Sequence, residues 1–258
     1  EVPVGDEHHP VHPVHPVHHF YGLMGLLSTI GNSSRIDDLT IVGPKGIGKM
    51  INALKTLIEY LPYKIIVVEN PKGTFSLVND ILKDIEISTL ELDHSSECLG
   101  YSLYFKRTPK FNIEKAKANN VPQNLWSKLQ KIDSIFYDKK KYTSDMVLGD
   151  DRKGVKLSFI TDTRFLLTIP DFIRHSDLFV CEGMYGDDMD ISKAVKNKHM
   201  TFNEAASLAS LGEVKQLLLT HFSPSLENPH DYLKNATRIF PNTIIGEDRL
   251  SLSLNYEN

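Results

Sequence analysis

Four short segments place side chains able to bind metal or move protons directly after apolar runs. They are Asp93-His94, Thr161-Asp162-Thr163, Cys181-Glu182-Gly183 and Thr220-His221-Phe222. The apolar runs read as strands, so each polar side chain falls at a strand end, where loops carry chemistry on a rigid frame. A fifth candidate, His199, stands in Lys198-His199-Met200-Thr201. Zinc favours imidazole and carboxylate ligands, and a hydrolytic site leaves one coordination position open for water. A carboxylate bridging two such ions roughly 3.5–4 Å apart suits phosphoester cleavage.

Two other patterns have a chemistry of their own. Gly43-Pro44-Lys45-Gly46-Ile47-Gly48-Lys49 fits the G-x-x-x-x-G-K phosphate loop and lies between a strand and a helix. Met50, however, stands where Ser or Thr would hold magnesium, and Pro44 removes one backbone N–H from the cradle. A plain strand-to-helix turn is expected there, with nucleotide binding the lesser reading. The second pattern is a cluster of histidines: His8, His9, His12, His15, His18 and His19 are six of the 11 in the chain. In polyproline II geometry those of His12-Pro13-Val14-His15-Pro16-Val17-His18 would lie roughly 9 Å apart. That is too far to share one zinc, whose ligands each sit about 2 Å from the ion.

The elements that must position these residues follow from the rest of the chain. Its 258 residues, 41% apolar and 24% charged, suit a folded globular protein and exclude disorder or a collagen-like repeat. No stretch approaches the roughly 20 apolar residues of a membrane helix, and no signal-peptide pattern is expected. Two cysteines, Cys98 and Cys181, argue for a reducing compartment and a cytoplasmic location. Strands are expected at 39–43, 64–68, 87–94, 101–105, 156–160, 178–181, 216–220, 243–245 and 250–254. Helices are expected at 20–30, 49–61, 112–119, 124–131, 169–174, 201–211 and 230–240, with Thr201 and Glu204 forming a capping box. The mixture is α/β in class.

Charge is uneven. Lys106 to Lys141 holds ten basic residues against three acids, a balance of +7 that leaves −11 for the remainder of a chain whose net charge is −4. Phe105, Phe111, Trp126, Phe136 and Tyr137 lie among or beside these lysines. Aromatics among cations suit nucleic acid, and they equally suit a packed helix face.

Taken in order, several motifs resemble ribonuclease Z, the tRNA 3′-processing endonuclease family. They begin with Phe20-Tyr21-Gly22-Leu23-Met24-Gly25-Leu26-Leu27-Ser28-Thr29, the run from Leu39 to Ile47, and Asp93-His94-Ser95. Phe111-Asn112-Ile113-Glu114-Lys115-Ala116-Lys117, Thr161-Asp162-Thr163-Arg164, the run from His175 to Gly183, and Leu219-Thr220-His221-Phe222-Ser223-Pro224 continue the series. The resemblance spans roughly Phe20 to Leu252. It implies a metallo-β-lactamase fold, a four-layer αβ/βα sandwich, with two zinc ions per site. It also implies a cytoplasmic enzyme, a tRNA precursor as substrate, a homodimer and no membrane partner.

By position, the resemblance makes His19, His94, Asp162 and His221 metal ligands, with Asp162 bridging the ions. It makes His199 the proton donor to the leaving 3′ oxygen and puts Glu182 behind the ligands. The basic segment, about 106–141 within a single 1–258 domain, takes the place of a tRNA-gripping arm. Lys106, Arg107, Lys110, Lys115, Lys117, Lys128 and Lys131 are its candidate RNA contacts. The front end departs from the family's His-x-His-x-Asp-His signature: anchored on His19, the aspartate position holds His18, and Pro16 and Val14 replace the two histidines. The N-terminal strands are therefore expected to be missing or altered. A phosphodiesterase of the same fold acting on small substrates and a catalytically impaired RNA-binding homologue are the alternative readings.

Overall fold

Among the described residues, strand pairing produces one large sheet and two two-stranded ones. The computed structural model describes residues 21–58, 60–76 and 84–257, so His19 and the rest of the N-terminal signature lie outside the described residues. A helix, Tyr21–Asn32 (α1), leads into Leu39–Gly43 (β1), Ile47–Leu57 (α2) and Ile65–Glu69 (β2). β1 and β2 pair in parallel, from Leu39↔Ile65 to Gly43↔Glu69. Helix α2 starts two residues before the expected 49, because Gly46 takes a left-handed φ of 94° that turns the chain straight into the helix. It ends at Leu57, where Ile58 is already extended.

The second sheet has seven strands among the described residues, in the order β11-β10-β9-β8-β5-β4-β3. These are Thr74–Ser76 (β3), Ile85–Glu91 (β4), Leu99–Arg107 (β5), Arg152–Ile160 (β8), Leu178–Glu182 (β9), Leu217–Thr220 (β10) and Thr243–Ile245 (β11). From β3 to β8 the pairing is antiparallel, and from β8 to β11 it is parallel. β4 and β8 both run opposite to β5, so β4, β8, β9 and β10 all point the same way. Their C-terminal ends lie along one edge of the sheet, and the four polar segments singled out from sequence follow those ends. This is the placement at which α/β sheets build sites.

Behind that edge, Ile169–Ile173 (α5), Phe202–Leu211 (α7) and Leu233–Thr237 (α8) cover the sheet. Helix α7 begins with the expected capping box: the Thr201 hydroxyl accepts from Glu204 N–H, and Glu204 accepts from Thr201 N–H. Its small residues Ala205, Ala206 and Ala209, all fully buried, let it sit close on Phe179, Leu217 and Leu219 of the strands. Between β9 and α7 lies Ile191–Asn197 (α6), whose apolar residues Ile191, Ala194 and Val195 fall at helical spacing over only two turns, too short a run to stand out in the sequence.

The segment between β5 and β8 forms a separate body with its own core. Ile113–Ala118 (α3), Gln123–Leu129 (α4) and the hairpin Ser134–Tyr137 (β6) to Lys140–Thr143 (β7) pack Ala116, Val121, Leu125, Leu129 and Tyr142 together. The hairpin turns on Asp138 and Lys139, both at positive φ (46° and 60°). That turn ordinarily calls for Asn-Gly, so Asp-Lys there carries no hairpin signal.

Two expectations fail at the C-terminal side. The helix expected over 230–240 is a 3₁₀ turn, Pro229–Tyr232, followed by the short α8. The strand expected over 250–254 does not form, and Leu250 and Leu252 are exposed. That stretch runs on to Tyr256, whose hydroxyl donates to the Lys106 carbonyl, and to Glu257, which binds Arg107, Lys153 and Lys215, instead of extending the sheet beyond β11.

Gly183, directly after β9, has no room for a side chain, since a Cβ there would lie 2.8 Å from the Phe202 ring. Gly183→Ala should therefore destabilise by about 1–3 kcal/mol. The corresponding fall in melting temperature is about 2–4 °C per kcal/mol for a chain of this size. Scanning calorimetry beside the parent checks this, and an unchanged melting temperature would show that α7 can shift freely.

Candidate metal centre

Four loops at the carboxyl edge of the large sheet converge on three imidazoles and two carboxylates. His94 lies in the loop after β4, Asp162 after β8, Glu182 ends β9 and His221 follows β10. Asp162 and His221 both adopt left-handed backbone conformations (φ 56° and 57°). Such conformations cost about 1–2 kcal/mol in a non-glycine residue and persist where surrounding bonds dictate them. They turn the two side chains toward each other, with His221 Nε2 lying 3.3 Å from Asp162 Oδ1.

His199 comes from a different direction, on the loop between α6 and α7. Its ring lies between the other two, with centroids 5.0 Å from His94 and 5.5 Å from His221. Ligand atoms of His94, Asp162 and His199 lie within 4.8 Å of one another, and so do those of Glu182, His199 and His221.

Glu182 is fully buried, and its oxygens are satisfied from two loops. Oε1 accepts from Thr163 N–H at 2.6 Å, while Oε2 accepts from Met200 N–H at 3.1 Å. His199 Nδ1 stands 3.0 Å from Oε2. A carboxylate partner keeps the proton on Nδ1 and leaves Nε2 for the open side of the site. Burial pulls the His199 pKa down, but the Glu182 hydrogen bond and charge, with Asp162, outweigh it and hold the imidazole above its ordinary value. His94 is oriented in a similar way, with Nδ1 3.2 Å from the Lys198 carbonyl. A carbonyl only accepts, so its partner nitrogen carries the hydrogen and Nε2 keeps its lone pair.

The donor set fits a zinc-type ion: half-buried imidazoles, two of them (His94 and His199) oriented through Nδ1, beside carboxylates. Cys98, 3.5 Å from the Thr161 carbonyl, is not a thiolate partner to them. Burial first, then the Asp162 charge, push its pKa up to about 12. A protonated thiol is a poor ligand and nucleophile.

Sequence reasoning missed the bonds that tie these loops together. Arg164 donates to both oxygens of Glu204 and to the His199 carbonyl, so the capping box of α7 also anchors the His199 loop. Lys198 Nζ donates to Asp93 Oδ1 at 2.7 Å. Arg164 stood in view within Thr161-Asp162-Thr163-Arg164, but no sequence signal names its distant partner.

The glycine-rich turn before α2 is occupied from within the chain. Gly48 N–H donates to Glu69 Oε2 at 3.1 Å. The backbone amides of Gly46 and then Gly48 hold the Glu69 pKa below its ordinary value. The amides that would cradle a phosphate are bound to a carboxylate, in keeping with a plain turn.

The expected RNA contacts divide. Lys110, Lys115, Lys117, Lys128 and Lys131 are exposed on the body between β5 and β8. Lys106 and Arg107 instead sit in β5 itself, where they line one cavity together with Lys131. Lys106 pairs with Glu86 at 2.7 Å, while Arg107 donates to the Glu257 carbonyl and lies over the Tyr256 ring. Trp126 is not a free stacking platform: its Nε1–H donates to the Val121 carbonyl at 2.9 Å and its ring packs on Phe111. Phe136, by contrast, is 76% exposed beside Lys139 to Lys141.

No family model matches the chain. Among curated proteins, it is 64% identical over 231 residues to ribonuclease Z of Clostridioides difficile, covering 90% of this chain and 76% of that one. It is 54% identical to ribonuclease Z of Clostridium beijerinckii over 89% of this chain and 75% of that one. Of solved structures, the short form of human tRNase Z superposes with a TM-score of 0.56 at 19% identity, covering 92% of this chain and 74% of that one. The metallo-β-lactamase fold protein YhfI from Bacillus subtilis gives 0.56 at 16% identity, covering 90% and 71%. With a metallo-β-lactamase fold and relatives this similar over most of their length, the chain belongs to the ribonuclease Z family.

Proposed function

We propose that this chain is a zinc-dependent endoribonuclease that removes the 3′ trailer from tRNA precursors, with its chemistry at the edge where β4, β8, β9 and β10 end. The observation that carries the reading is the buried Glu182–His199 pair set beside His94, Asp162 and His221. His94, Asp162 and His221, together with His19 from outside the described residues, would hold the zinc. Zinc held there supplies Lewis acidity toward water and the phosphate oxygens.

The residues of the chain do the rest. The oxygen of water adds to phosphorus with one of its protons released to solvent, the P–O3′ bond breaks, and His199 gives a proton to the departing 3′ oxygen, which leaves a 3′ hydroxyl on the tRNA and a 5′ phosphate on the trailer. His199 also falls within both groups of metal-capable side chains, which favours a second reading of it as a ligand. Its raised pKa supports the donor role, because Glu182 stabilises the proton-bearing form that cannot ligate.

The domain is single, with residues of about 106–141 as an inserted basic arm that contacts the tRNA backbone through Lys110, Lys115, Lys117, Lys128 and Lys131. Lys106 and Arg107 hold the arm's root. Strand β5 spans nine residues, so the root stands roughly 27 Å along the sheet from the metal edge. That distance supports an arm serving the other site of a homodimer. We assign the reaction to the cytoplasm, where Cys98 and Cys181 remain thiols; no described helix is long and apolar enough to cross a membrane.

Two variants separate the roles. His221→Ala should lose bound zinc, measured by elemental mass spectrometry, and all cleavage, while tRNA binding stays within about threefold. His199→Ala should keep its zinc and lose about 10²–10⁴-fold in kcat. Loss of zinc in His199→Ala would instead make it a ligand.

Replacing residues 108–151 by a two-residue turn tests the arm. With about five phosphate contacts, the parent's log affinity for tRNA should fall with log salt at a slope of about −4. The shortened protein should lose that slope yet still hydrolyse bis(p-nitrophenyl) phosphate. Unchanged tRNA affinity would remove the arm from substrate binding and favour the small-phosphodiester reading.

A further inference from the structure

Lys198 closes α6 with φ 58° and ψ 49°, in the left-handed region. A helix that ends this way usually does so on glycine, because any Cβ is unfavourable there. A lysine at this place is explained by what both of its ends hold. Its carbonyl lies 3.2 Å from His94 Nδ1. Its ammonium donates to Asp93 Oδ1 at 2.7 Å and to the His94 carbonyl at 3.2 Å. One residue thus grips His94 by ring and by backbone, and its next neighbour in the chain is His199.

We propose that Lys198 is a positioning residue that locks the His94 imidazole against His199, fixing both its tautomer and its place at the metal edge. The inference rests on the metal centre proposed above. The carbonyl dictates which ring nitrogen carries hydrogen, so Nε2 presents its lone pair to the site. The ammonium removes the freedom of the Asp93-His94 turn, which would otherwise let the ring swing away from that carbonyl. Lys198 and Asp93 side chains are 42% and 45% exposed. A pair this wet adds little to global stability, so its effect is on geometry.

Three variants test the clamp: Lys198→Met, Lys198→Gly and Lys198→Arg. Zinc affinity of the metal-stripped protein is measured by competition with a chromophoric chelator, beside kcat and KM on a tRNA precursor. Lys198→Met and Lys198→Gly should weaken zinc binding about 10–100-fold, the usual effect of losing a group that orients a ligand. The loss should appear in kcat with KM within about twofold, and Lys198→Arg should restore most of it. Lys198→Gly should melt no lower than the parent, since glycine relieves the left-handed backbone, so its metal defect cannot be ascribed to unfolding. Parent-like zinc affinity in both Lys198→Met and Lys198→Gly overturns the clamp.

A parent that binds no zinc would sink the metal-centre reading, and the clamp is then read separately. Nitrogen-15 spectra of the His94 ring in the metal-free protein should show one Nδ1–H tautomer in the parent and a mixture in Lys198→Gly. A single tautomer in both proteins would overturn the clamp on that measurement too.

Discussion

Everything at the metal edge leans on one buried carboxylate. Glu182 is fully buried, and it is satisfied by the N–H of Thr163, the N–H of Met200 and the ring of His199. Burying a charge is unfavourable unless geometry and hydrogen bonds compensate, and removing one partner of such a set typically costs about 3–5 kcal/mol. The constraint acts in both directions. The loop after β8 must bring the Thr163 amide inward, which fixes the backbone of Asp162 in its left-handed turn. The loop before α7 must bring Met200 and His199 inward as well. Positions of Asp162 and His199 are therefore coupled through a group that need not face the substrate.

The topology makes that coupling feasible. Because β5 runs opposite to β4 and β8, the hairpin loop holding His94 and the crossover loops holding Asp162 and His221 share an edge. The same reversal sends the basic body to the opposite edge, where β5 ends and β8 begins. On the proposed reading, phosphate recognition along the RNA and bond cleavage are separated by the length of a strand. A tRNA is long enough to span such a distance, and a small ester is not.

Much of the frame was legible because local rules and the final packing agree. Leu39–Gly43 and Thr243–Ile245 are apolar runs bounded by turn residues, and Thr201 with Glu204 forms its capping box. His94, Asp162, Glu182 and His221 could be picked out as residue types after strands, while His199, between two helices, was named by the family resemblance. What could not be read was contact between distant residues: the Lys198 carbonyl on His94, or Arg164 on Glu204 and the His199 carbonyl. The β6–β7 hairpin escaped notice since Asp138 and Lys139 occupy a turn that their types do not advertise. The run at 250–254 misled for the opposite reason. Its alternation suits a strand, but ionic contacts of Glu257 with Lys153 and Lys215 lead the chain elsewhere.

The glycine-rich turn shows why a motif needs its surroundings. Amides of Gly46 and Gly48 face an anion, as a phosphate loop requires, but that anion is Glu69 at the end of the neighbouring strand. β1 and β2 are parallel and in register, so Gly43 and Glu69 are paired and the carboxylate reaches the turn directly. A nucleotide phosphate would have to displace a carboxylate tethered beside the loop, at a very high effective concentration. The same amide chemistry that elsewhere binds ligand here joins β2 to the start of α2. The edge proposed for phosphate chemistry is lined by imidazoles, not amides.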